Sequence, residues 1–522
     1  RARFPFTVAL VLAGFVAAGF GEIVDVEVSA DLILALLVPP LLFEATLNLP
    51  WTKLRRELFG VLTLALAGTM MGSLAVGTVV HFVLDIPWAL SFAFGALISA
   101  TDPVAVIAFF KSLGTPKRLS VLVEGESLFN DAVAVVVFGV ALDVAAGESF
   151  VLSDSIADFF IVSAGGLAVG MALGFVVSEV VLAGVDDALI ETSTTLALAF
   201  GSFLLAEEFG ALIGQDDLHF SGILAVVAAG LMVGTRGIQN TSPTTRLTLE
   251  HFWELLTFLV NSLVFLVIGL TIGLGDLFRE WWPVLLAVVT VLVVRAILVY
   301  GLTWFTNLLR PSRRVPGPYQ HVMFWGGLRG AISLALALII QENEELREVV
   351  GDTAVQTVVV MTFGVVLFTL LVQGLSIAGL IRHLGLAGRT ERELEQQTFQ
   401  AKIHMRRAGQ ETIDRLGDEG VIGRDMAESL QVTYRQDVVE AADRLQGHMS
   451  RHPELEAEML LQARRESLVA EGSALGDIVR TGLIENQVAD LLSVQLNHRL
   501  AALEILSDRW EIDPLDIERG ER

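Results

Sequence analysis

The sequence predicts an all-α polytopic membrane protein with a soluble helical domain at its C-terminal end. Hydrophobic residues make up 53% of the 522 positions, and mean hydropathy is +0.63. They fall in runs of about 18 or more, the length at which a helix crosses a hydrocarbon core about 30 Å thick. From Ile381 on, these runs give way to amphipathic helical spacing rich in charge. The same composition narrows the function. A formal net charge of -24 argues against nucleic acid as a partner. With no cysteine, the chain has neither disulfides nor thiol chemistry.

Taken in order, the apolar runs give about 12 spans by the length rule: 4–20, 32–49, 59–84, 86–110, 119–146, 155–185, 190–209, 219–235, 252–274, 281–308, 321–340 and 355–380. Residues 4–20 read as a spanning helix behind Arg1 and Arg3, not as a signal peptide. The chain opens on Arg1, so an incomplete N-terminus is expected. Alternate loops sort the cations. One side holds Arg1, Arg3, Lys53, Arg55, Arg56, Lys111, Lys117, Arg118, Arg236, Arg246, Arg310, Arg313 and Arg314, and the other holds Arg279 and Arg347. Lys/Arg excess marks the cytoplasmic face, which puts both termini inside. Acidic outer loops, such as Glu207, Glu208, Asp216 and Asp217, would either gather cations or form an ordinary solvated surface.

Chemistry is expected where charge interrupts these spans, because a carboxylate at membrane depth is costly and marks a functional site by default. Asp102 lies midway along 86–110 and precedes Pro103. Proline has no N–H and restricts the residue before it, so the helix should break here. Asp followed by Pro also reads as an N-cap and first helical residue. Asp102 would then sit at the positive dipole end of a second half-helix, with the Thr101 carbonyl free to bind a cation. Transporters repeat such breaks at corresponding positions of inverted halves. The match is expected at Gly326-Gly327-Leu328-Arg329-Gly330 in span 321–340, where Arg329 brings a charge to mid-span. Glycines alone would equally serve helix packing.

Span 119–146 supplies the other half of the site. Ser127 and Asp131 are four apart and share a face, while Glu126 and Asn130 form the adjoining stripe. From Leu119 to Asp131 the helix rises about 18 Å, which brings Asp131 near the middle of the bilayer. Residues 132–140 are wholly apolar, so the polar patch ends there. Arg295 is a second intramembrane cation, and buried charges need partners. The preferred pair is Glu126 with Arg329, leaving Arg295 for another carboxylate or a half-helix C-terminus. Asp131 and Asp102 would then be the unpaired acids able to exchange a ligand. Glu44, behind Pro39-Pro40, reads as structural, and Asn261 as an aid to helix association. Oxygen ligands suit hard cations, and desolvation penalises the charged form of a buried carboxylate. The residues therefore predict a monovalent-cation site shared in time with a proton.

Residues 381–522 read as a cytoplasmic helical domain, with helices near 390–416, 422–448, 453–480 and 484–507 and Gly or Pro at the joints. Regulation and dimer stabilisation both remain open for it.

Taken together, Thr101-Asp102-Pro103, Glu124-Gly125-Glu126-Ser127-Leu128-Phe129-Asn130-Asp131 and Gly327-Leu328-Arg329-Gly330 resemble the cation:proton antiporter 1 family of sodium/proton exchangers. Leu37-Val38-Pro39-Pro40-Leu41-Leu42-Phe43-Glu44 resembles a further family segment, and the likeness covers residues 4–380. The resemblance implies an inverted-repeat antiporter fold of about 13 spans with two broken crossing helices. The family's first helix would be missing here, so residues 4–20 would match its second. It implies a homodimer in the cell membrane with an interface domain and a moving core, and no enzymatic activity. It implies exchange of Na+, with Li+ or K+ as alternatives, for H+ by alternating access, without a cofactor. Asn130 precedes Asp131 where a second aspartate would otherwise stand, which implies electroneutral one-for-one exchange. In this reading Asp131 carries the proton or cation, and Thr101, Asp102 and Ser127 help ligate the ion. Glu126 and Arg329 brace the site, with Asn130 and Arg295 in support. A K+/H+ antiporter of the same fold is the alternative. A cation channel would lack proton coupling, and no filter loop is evident. An intramembrane aspartyl protease using Asp102 and Asp131 as a dyad would leave the surrounding oxygens without purpose.

Overall fold

The structure, a computed structural model, describes residues 30–147, 152–185, 187–215, 219–241, 243–271, 274–387, 391–419 and 421–451, with isolated positions within 9–14 and 460–499. Nearly all of the predicted span 4–20, and most of the predicted tail helices 453–480 and 484–507, lie outside the described residues. The chain divides into two compact units, Arg1–Gly388 and Arg389–Arg522.

In the first unit the elements, leaving short connecting helices unlabelled, are α1 (Ala30–Leu47), α2 (Trp51–Leu84), α3 (Trp88–Leu97), α4 (Val104–Leu113), α5 (Lys117–Ala145), α6 (Leu152–Val176) and α7 (Ala188–Glu207). They continue with α8 (Gly222–Met232), α9 (Pro243–Thr271), α10 (Trp281–Leu309), α11 (Gly317–Trp325), α12 (Ala331–Glu342) and α13 (Asp352–His383). Prolines punctuate them. Pro50, Pro87, Pro116 and Pro316 stand immediately before α2, α3, α5 and α11 in non-helical backbone, where a missing N–H costs nothing. Helix α4 ends on Gly114 at φ 65°, a left-handed residue that suits glycine.

Seven helices among the described residues are long and apolar enough to cross a membrane unaided, and they lie in α2, α5, α6, α7, α9, α10 and α13. The remaining predicted spans within the described residues appear as shorter helices. Two of these are α1 and α8; the rest are the halves α3/α4 and α11/α12 of the two interrupted spans, with α11 a helix of 9 residues.

The helices pack in two groups. In one, α2 lies on α3, α5 and α10, and α13 lies on α10 and α12. In the other, α8 is packed by α1, α6 and α7, and α9 rests on α1 and α7. Small residues let backbones close together within each group. A Cβ on Gly95 of α3 would overlap the Ser73 carbonyl of α2, and one on Gly170 of α6 would overlap the Ala225 carbonyl of α8. The groups meet where α1 touches α5 and where α1 and α9 pack on α12. That seam flanks the two breaks and positions the site.

In the second unit α14 (Glu391–Asp418) and α15 (Arg424–Met449) form a helical hairpin. Arg406 crosses it, pairing with Asp437 at 3.2 Å and lying 5.4 Å from the Tyr434 ring centre.

Candidate functional site

Both predicted breaks are present and they cross. Residues 100–103 are unwound between α3 and α4, and 327–330 between α11 and α12. The Asp102 N–H donates to the Leu328 carbonyl at 2.7 Å, tying one unwound strand to the other. Gly330 passes against the Asp102 carboxylate so closely that any Cβ would overlap it. Asp102 stands at the start of α4 as expected: its Oδ1 accepts the Val104 N–H at 3.0 Å, two residues on, with Pro103 between them in helical backbone at φ -86°. Pro103 has no N–H to satisfy there, and its carbonyl accepts the Ile107 N–H at 2.8 Å.

Helix α5 is stitched to the first break. Asp131 is buried, and its Oδ1 accepts the Thr101 N–H at 3.0 Å. The Ser127 hydroxyl donates to the Thr101 carbonyl. That carbonyl, predicted to be free, therefore has one lone pair engaged and one left for a ligand. Asn130 donates from Nδ2 to the Ser99 carbonyl at 2.7 Å and to the Thr101 hydroxyl at 3.2 Å, while its Oδ1 accepts from the Thr69 hydroxyl at 2.5 Å.

The arginines are placed differently from expectation. Glu126 pairs with Arg295, not Arg329: Nη1 to Oε1 is 3.1 Å and Nη2 to Oε2 is 3.4 Å. Arg295 also donates to the carbonyls of Met323 at 2.8 Å and Phe324 at 3.3 Å, so it meets a carboxylate and a half-helix C-terminus together. Arg329 donates from Nη1 to the carbonyls of Ser99 at 2.6 Å and Ala100 at 3.1 Å, beyond the C-terminal end of α3. Its own N–H is held by the Thr369 hydroxyl at 3.1 Å. A guanidinium belongs there, because the end of α3 carries unpaired carbonyls and the negative pole of the helix. Ser333 adds a hydroxyl to the Leu97 carbonyl at 2.8 Å. Heptad-like spacing could say that Glu126 and Asn130 share a stripe. It could not say that this stripe faces α2 and α10.

The outcome is a division of labour across the crossing. On one side a cavity of about 80 Å³ is lined by Thr101, Asp102, Ser127, Asp131, Glu124 and Asn261, with apolar walls from α1 and the start of α12. On the other, a cavity of about 40 Å³ is lined by Thr69, Ser99, Glu126, Asn130, Arg295 and Arg329. Asp131 and Asp102 form no ion pair among the described residues, whereas Glu126 does. The structure thus brings Thr101, Asp102, Ser127 and Asp131 to one cavity and sends Glu126, Asn130, Arg295 and Arg329 to the other.

Sequence reasoning missed Thr69, Ser333 and Thr369, and gave Glu124 no role. It assigned Asn261 to helix association, yet its side chain lines the acidic cavity. A lone hydroxyl in an apolar span ordinarily bonds back to the carbonyl one turn earlier, so nothing in the spacing distinguished these three.

The family model described as "Sodium/hydrogen exchanger, transmembrane" matches residues 1–383. The chain is 34% identical over 496 residues to the Na(+)/H(+) antiporter ApNhaP of Aphanothece halophytica, covering 94% of this chain and 91% of that protein. It is 38% identical over 398 residues to the Na(+)/H(+) antiporter NhaH of Halobacillus aidingensis, covering 73% of this chain and 93% of that one. Among solved structures, the sodium proton antiporter MjNhaP1 of Methanocaldococcus jannaschii at pH 8 shares the fold, with a TM-score of 0.59 at 20% identity over 74% of this chain and 94% of that one. With crossed breaks, a buried acid beside them and a family match spanning every membrane helix among the described residues, the chain belongs to the transmembrane sodium/hydrogen exchanger family.

Proposed function

We propose that this protein exchanges Na+ for H+ across the cell membrane, with both ions competing for Asp131. The observation that carries this is the separation of charges. Asp131 and Asp102 face a cavity beside unwound backbone, while the intramembrane arginines are engaged on the far side of the crossing. An ionised Asp131 can take a cation together with oxygens of Ser127, Thr101 and Asp102, which suit a hard ion. A proton on Asp131 removes the charge that holds the cation. Coupling follows from this competition, provided the empty charged site crosses poorly. Relatives named for Na+ favour Na+ over K+ as the substrate.

In this reading Asn130, Glu126, Arg295 and Arg329 hold the crossing and do not touch the ion. The group containing α2–α5 and α10–α13 shifts against the group containing α1 and α6–α9, alternating access to the cavity. The protein works as a homodimer with both termini in the cytoplasm, exchange is one for one, and residues 381–522 regulate it. Proteoliposomes with a trapped pH dye test the core of the proposal. An imposed Na+ gradient should move protons, Asp131→Asn should abolish that movement, and a clamped membrane potential should not change its rate. Absence of proton movement with the unaltered protein in Na+, Li+ and K+ gradients would sink the antiport reading. A strong dependence on potential would sink electroneutrality.

A further inference from the structure

Asn261 lies on α9, in the helix group opposite the crossing. Its side chain is 6% exposed, and its Oδ1 has no hydrogen-bond partner. A buried amide oxygen left unpaired is costly and calls for an explanation. This one belongs to the lining of the cavity that also holds Thr101, Asp102, Ser127 and Asp131. The neighbouring wall from α1, at Leu42 and Ala45, is apolar and offers no donor. At about 80 Å³ the cavity has room for an ion with some of its water. An amide oxygen is an acceptor that suits a hard alkali cation.

We infer that Asn261 is a cation ligand supplied across the seam: its amide oxygen meets the Na+ held at Asp131, directly or through one of the ion's waters. The inference rests on the reading of Asp131 as the cation site. All other proposed ligands sit on α5 and the first break, within one helix group. Asn261 is the contact from the other group, so it tightens the ion only while the two groups are closed on this cavity. Its effect should fall on cation affinity and leave proton binding at Asp131 in place.

Asn261→Leu keeps the bulk and removes the oxygen, and Asn261→Asp keeps an oxygen. In full-length protein in proteoliposomes, Asn261→Leu should raise the apparent KM for Na+ about tenfold, the effect of losing one ligand contact. Maximal exchange and its pH dependence at saturating Na+ should be unchanged. Asn261→Asp should hold the KM at or below the unaltered value. As a readout independent of transport, the Na+ concentration that raises the melting temperature of the detergent-solubilised protein should increase about tenfold in Asn261→Leu. A residue serving only helix association would lower the folded yield and maximal rate of Asn261→Leu while leaving KM within about twofold, and that result overturns the inference. Should Asn261→Leu not fold, Asn261→Ser, which withdraws the oxygen from the cavity, replaces it with the same expected and overturning results. Loss of exchange in the unaltered protein would strike the antiport reading; normal exchange with an unmoved Na+ KM strikes Asn261 alone.

Discussion

The two breaks look alike in outline and do opposite work. The first is made by Pro103 and leaves the carbonyls of Ser99, Ala100 and Thr101 outside any helix, with Asp102 turned back on its own chain. The second is made by glycines and carries Arg329, whose guanidinium bonds two of those carbonyls, at Ser99 and Ala100. Arg295 does the equivalent for the second break from outside, bonding the carbonyls at the end of α11. Within a membrane, backbone groups released from a helix must be satisfied by protein. Here the cations do that, which leaves Asp102 of the first break and Asp131 of α5 available. The first break presents a site, and the second holds the first in shape.

The largest test of that contrast sets Arg329→Met against Asp102→Asn. Removing the guanidinium takes the short donor from the Ala100 carbonyl, at about 1–3 kcal/mol, and leaves the Ser99 carbonyl to Asn130 alone, so the melting temperature in detergent should drop. Asp102→Asn can still accept the Val104 N–H, so its stability should change by no more than about 1 kcal/mol while Na+ affinity falls. Equal losses of stability would erase the distinction between the breaks. A middle-sized effect is expected for Gly330→Ala. The new methyl would overlap the Asp102 carboxylate. Overpacking of this kind costs about 1–3 kcal/mol, and exchange should fall with it; a fully active Gly330→Ala would show that the breaks do not need their close approach. The smallest effect should come from Thr69→Val, which removes the hydroxyl bonded to Asn130 Oδ1. A loss of about 1 kcal/mol in denaturation, with Na+ KM unchanged, would place Asn130 with the braces. A raised KM would move it to the ion side.

Much of the site was legible in the chain. Pro103 and the run Gly326–Gly330 announced both breaks, and the apolar residues around Asp131 agree with its burial. The face shared by Ser127 and Asp131 follows from helical spacing, and both do line one cavity. The pairing of charges was not legible. The need of buried charges for partners leaves two arginines open to Glu126, and the expected pair with Arg329 gives way to Arg295, 169 residues away. The cavity that Asn261 lines was not legible either, since an isolated amide in an apolar helix gives no sign of what it faces.

By itself, then, the sequence determined which residues lie in the membrane interior, where helices must stop, and which side chains share a face. These are local consequences of hydrophobic run length, missing N–H groups and a fixed helical period. Only the tertiary structure decided which face meets which, because helix packing sets the partner of a buried charge and sequence separation does not. That is why Arg329 came to hold carbonyls, Arg295 came to hold Glu126, and Asp131 was left facing open space.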